Sequence, residues 1–116
     1  VISTSPVDTA NTYAVTYDGG RSDPSLAHVF GGPVAGLSVS ATHFISGDYN
    51  INYQWDSVPI AAGETKCFMH FAVQREPNDE AGAQAQAEAL VNFTDPNMLS
   101  GMSAEEMACV VNFSLQ

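Results

Sequence analysis

"GETKCFMHFAVQREPNDEAGAQAQAEALVNF", residues 63–93, changes its pattern halfway along. Up to Arg75 it reads as a strand at about residues 65–74. Cys67, Met69, Phe71 and Val73 fall on one face, and Phe68, His70 and Ala72 on the other. A strand that is apolar on both faces needs cover on both. After Arg75 the chain turns alanine-rich, with no β-branched residue before Val91. Alanine is the best helix former, and Asp79 and Glu80 suit the positive end of a helix dipole. The spacing predicts a helix near 79–92.

Upstream of this junction the pattern is that of strands. "TYAVTY" (12–17) alternates Tyr13, Val15 and Tyr17 with Thr12, Ala14 and Thr16. "SLAHVF" (25–30) reads as a short strand between the loops "DGGRSDP" and "GGPVAG". "LSVSATHFI" (37–45) and "YNINYQW" (49–55) alternate on either side of "SGD", which predicts an antiparallel hairpin with one buried and one wet face. These strands predict a β-meander running into residues 65–74. Downstream, "SAEEMACVVNF" (103–113) opens with a capping box, Ser103 with Glu106, and predicts a helix near 104–112. Cys109 and Phe113 then share a helical face.

The expected fold is α+β: an antiparallel β-sheet or sandwich of five to six strands, followed by two C-terminal α-helices packed on the sheet. One domain spans residues 1–116, with an extended arm or edge strand at 1–11, strands at 12–75 and a helical tail at 76–116. The two faces of 65–74 are expected to meet other strands and the helices.

The composition narrows the function. Thirteen carboxylates face three basic residues, Arg21, Lys66 and Arg75, for a net charge of −10. Phosphate backbones and anionic membrane surfaces need Lys and Arg, so neither nucleic acid nor membrane is an expected partner. No apolar run reaches the ~20 residues of a membrane-spanning helix. With no initiator Met and no leader-like stretch, Val1 reads as a processed terminus or as the start of a piece of a longer chain.

Cys67 and Cys109 are too few and too far apart for a zinc motif. Two readings stand: one disulfide in an oxidising compartment, or two buried free thiols. If the helical tail meets the central strand, the pair can close a loop that stabilises the fold by about 4 kcal/mol in the chain-entropy model.

Candidate chemistry is sparse. His28, His43 and His70 fall on separate strands with no metal-ligand spacing, and read as individual hydrogen-bonded or partly buried histidines rather than a zinc set. Cys67 and His70, three apart on a strand, point to opposite faces and form no nucleophile pair. Asp18 and Asp23 bracket a glycine-containing loop where calcium is conceivable, but Arg21 sits inside it and an Asx-type turn fits better. Tyr49, Tyr53 and Trp55 share a face with Ile51, which points to core rather than a sugar-binding platform. Asn92-Phe93-Thr94 and Asn112-Phe113-Ser114 match the N-glycosylation pattern. Neither a nucleophile elbow nor a phosphate loop is present, and no cofactor is expected.

"VPIAAGETKCFMHFAVQ" resembles the closing strands of β-sandwich modules in large secreted or surface-attached bacterial proteins. "FTDPNMLSGMSAEEMACVVNF" is similar to the Ala-rich tails of some of these. The resemblance covers roughly residues 57–113 and implies an extracellular, non-enzymatic module. The expected role is therefore non-catalytic: binding, adhesion or display within a larger protein, with protein partners or neighbouring domains. A second expectation is a homo-oligomer or filament subunit, in which the arm carrying Val1, Ile2 and Thr4 adds a strand to a neighbour's sheet. A third is a metal- or carbohydrate-binding domain.

Overall fold

A computed structural model describes residues 2–3, 8–18, 22–44 and 50–115. The elements run β1 (Ile2–Ser3), β2 (Tyr13–Tyr17), β3 (Ser25–Val29), β4 (Ala41–Phe44), β5 (Ile51–Gln54), β6 (Phe71–Arg75), α1 (Glu80–Val91) and α2 (Ala104–Cys109). They form a four-stranded antiparallel sheet in the order β1-β2-β3-β6 and a separate hairpin of β4 with β5. The class is α+β, as expected.

The alternation along the strands sorts the sheet into two faces. On one, the register aligns Tyr13 with Val29 and Phe71, and Val15 with Ala27 and Val73. Helix α1 lies on this face, across β2, β3 and β6. It contributes Ala83, Ala87, Leu90 and Val91 to a core shared with Val15, Ala27, Val29, Val73 and Phe113. Ala83 and Ala87 are fully buried. Four residues apart, they give the helix a methyl-sized contact stripe that lets its backbone approach the strands. Asp79 caps the helix by accepting from the Gly82 amide, and the Arg75 guanidinium beside it holds its carboxyl below the usual carboxylate range. The helix ends without glycine. The Phe93 amide donates to the Leu90 carbonyl and Thr94 to Ala89, the Schellman pattern, with Phe93 itself at φ 57°.

The opposite face aligns Ala14 with His28 and Ala72, and Thr16 with Leu26 and Gln74. Here a smaller core joins Ala14, Phe30 and Val39, with Ile51, Tyr53 and Trp55 packed against it. The hairpin therefore covers only one end. Ala72 and Gln74 are exposed, so the expected cover on both faces of this strand is found on one.

Several boundaries differ from expectation, each for a physical reason. The meander is broken, because β6 pairs with β3 and leaves the β4–β5 hairpin as an excursion. The strand expected at 65–74 is a ladder only from Phe71. Before it, Cys67 makes an isolated parallel bridge to Val110. At Met69 the amide of Asn112 does the work of a neighbouring strand. Its Oδ1 accepts from the Met69 N–H at 2.8 Å and its Nδ2 donates to the Met69 carbonyl at 2.7 Å.

The strand expected at 37–45 begins only at Ala41, with position 45 outside the described residues, and the Leu37 amide instead bonds the Val111 carbonyl. Helix α2 has the expected capping box but stops at Cys109, where Val110 turns extended. Cys109 and Phe113 thus share no helical face. Nor does α2 form a second helix on the sheet, since none of its residues is buried. The reversal expected at 46–48 lies outside the described residues.

Candidate functional site

The tail after α2 is the element around which the candidate sites gather. From the Cys109 carbonyl through Asn112 the chain runs between two stretches of backbone. On one side Cys67 donates to the Cys109 carbonyl and accepts from Val111. On the other Gly32 and Leu37 donate to the carbonyls of Asn112 and Val111. A Cβ at position 32 would stand 3.2 Å from the Phe113 ring, so glycine allows this approach. Cys67 and Cys109 are joined as a disulfide, with Cα atoms 5.0 Å apart. The free-thiol alternative is thereby set aside.

Asn112 is fully buried, and its side-chain amide makes three hydrogen bonds to backbone groups. Besides the two bonds to Met69, its Nδ2 donates to the Phe30 carbonyl at 2.9 Å. This is the Asn112 of the glycosylation pattern, and in the fold its amide is taken up by backbone partners. Asn92, in the other pattern, is exposed and donates its Nδ2 to the Glu88 carbonyl.

The histidines stay apart. His28 is half-buried on β3, its Nε2 3.5 Å from Thr16 Oγ1, and burial lowers its pKa. His43 is exposed on β4. His70 stands exposed with its ring 5.6 Å from those of both Tyr53 and Trp55, and burial against them lowers its pKa. Among the described residues, no group of three His, Cys, Asp or Glu side chains could hold a metal. Asp18 accepts from the amide and hydroxyl of Ser22, which is turn chemistry, while Asp23 is exposed at the end of the same loop.

Of the aromatic row, Tyr53 and Trp55 are half-buried, and Tyr49 lies outside the described residues. Tyr53 stacks on Phe30 at 4.5 Å, and Trp55 meets Tyr53 edge-on at 84°. The two rings lie at right angles, and both pack against the smaller core of Ala14, Phe30 and Val39. Of the proposed arm, Ile2 pairs with Tyr17 of its own chain, while Val1 and Thr4 lie outside the described residues.

One concave surface was not legible beforehand. A groove of about 520 Å³ runs between the 34–37 loop, the 59–66 segment and the tail. Val34, Leu37, Met107, Val110, Val111 and Leu115 give it apolar walls. Its charged groups are Glu64 and Lys66, whose Nζ lies 3.6 Å from Glu64 Oε1 and also donates to the Pro59 carbonyl. The available signal was Val34, an apolar residue inside a turn-rich stretch, and it is 75% exposed.

Comparison with known proteins found no family model, no curated protein and no solved structure that matches the chain, so the likeness noted over residues 57–113 gains no support from a match.

Proposed function

We propose that this chain is a non-catalytic binding or structural module of a larger protein, working outside the cell or on its surface. The observation that carries the reading is the Cys67–Cys109 disulfide, because such cross-links persist in oxidising compartments and are rare in reducing ones. The charge of −10 agrees with a surface that stays soluble without a nucleic-acid or anionic-lipid partner. The test is labelling of intact producing cells and their medium with a membrane-impermeant amine reagent. Recovery of labelled protein without lysis is the expected result. Label that appears only after lysis contradicts the location.

A second reading, assembly through strand addition, is favoured by one observation. The segment Ile2–Ser3 pairs with Tyr17 and Thr16 at the sheet margin, a place that the arm of a second copy would fit equally well. Removing residues 1–7 abolishes any assembly built this way.

A further inference from the structure

We infer that Asn92 is an N-glycosylation acceptor and that Asn112, in the other copy of that sequence pattern, is not. The inference rests on the extracellular reading, because the transfer takes place on chains that enter a secretory pathway. Asn92, Phe93 and Thr94 all stand exposed where α1 ends. Phe93, at 37%, is among the large apolar side chains that the described residues leave in water. A glycan on the residue before it is bulky and polar, and shields such a side chain.

The two amides differ at the reacting nitrogen. Transfer joins Nδ2 to C1 of the reducing-end sugar of an oligosaccharide carried on a lipid diphosphate. The N–C bond forms and the C1–O bond breaks. The lipid diphosphate leaves with the electron pair, and Nδ2 gives up one of its two protons. A single N–H then remains for the fold to use. At Asn92 a single one is all the fold needs, since Nδ2 donates once, to the Glu88 carbonyl at 2.9 Å. A glycosylated Asn92 keeps this bond. At Asn112 Nδ2 donates twice, to the carbonyls of Phe30 at 2.9 Å and Met69 at 2.7 Å, on a side chain with no exposed surface. A sugar there removes one of these bonds and leaves a buried carbonyl unpaired. Attachment precedes folding, so the fold acts as a filter. A chain modified at Asn92 reaches this structure, and one modified at Asn112 does not.

The experiment is peptide mass spectrometry on the mature protein from its own source, before and after treatment with a peptide N-glycosidase, which turns each glycosylated Asn into Asp. The expected result is a glycan on the peptide that holds Asn92, an Asn-to-Asp conversion at position 92 after the enzyme, and no change at position 112. Asn92→Gln and Thr94→Ala each abolish the glycan. The second variant keeps Asn92 and its bond to Glu88, so loss of the sugar there is not loss of the helix end. Surface labelling of intact cells on the same material separates this inference from the reading of location. Protein that carries the surface label with Asn92 unmodified overturns the glycosylation and leaves the location standing. Conversion at position 112 overturns the choice between the two asparagines. Sugar-free protein that is labelled only after lysis overturns both the glycosylation and the location.

Discussion

Asn112 is the residue on which the architecture turns. Its amide satisfies both main-chain groups of Met69 and the carbonyl of Phe30, residues 43 and 82 positions away. Asn112→Ala leaves those groups without partners in a buried setting. The expected loss is about 3 kcal/mol, measured by urea denaturation. Nothing local in "VVNFS" announces this role, because a buried asparagine is defined by partners distant in sequence. The cysteines were only half legible, since an even pair left a cross-link and two buried thiols as open readings, and the structure holds the cross-link.

The histidines give a pH signature. Burial lowers the pKa of His28 and of His70 below the unfolded value of about 6.5. The unfolded chain therefore takes up protons first, and stability falls as pH drops from about 6.5 toward the folded pKa values. Above that window this contribution is fully present. Substituting His28 by Gln should flatten this part of the stability curve, as followed by melting temperature at successive pH values. A further acid loss, at lower pH, comes from Asp79, Glu88 and Glu106. Their pKa values are depressed by hydrogen bonds, from Arg75 to Asp79, from Gln84 and Tyr13 to Glu88, and from Ser103 to Glu106.

At the scale of elements, β5 was legible because alternation and burial agree in it, and α1 because its alanine content favours a helix. The α1 face was not, since alanine occupies exposed and buried positions alike: Ala85 is exposed while Ala87 is fully buried. Ala87→Leu should force α1 off the sheet at a cost of about 1–3 kcal/mol, whereas Ala85→Leu should be nearly neutral in the same denaturation assay. Residues 65–70 misled the strand reading because extended backbone can be satisfied by a side-chain amide or a lone bridge as well as by a ladder. Residues 110–112 misled the helix reading in the same way, trading helical bonds for bonds to Cys67, Gly32 and Leu37.

The whole molecule is flattened, with extents of 49 × 31 × 18 Å and a radius of gyration of 15.0 Å, against roughly 13 Å for a compact chain of this length. One helix-covered sheet with a hairpin at one end accounts for this shape. Such a thin core has little stability to spare, which gives the disulfide its weight. Reduction should lower the melting temperature by roughly 15 °C, the equivalent of about 4 kcal/mol for a loop of this length. The central claim is that this cross-link exists where the protein works. It is tested most directly by alkylating the protein in its native source before any reductant is added, then measuring its intact mass. The account predicts no alkyl adduct and a mass lighter than the dithiol by two hydrogens. Two adducts, on Cys67 and Cys109, would contradict it.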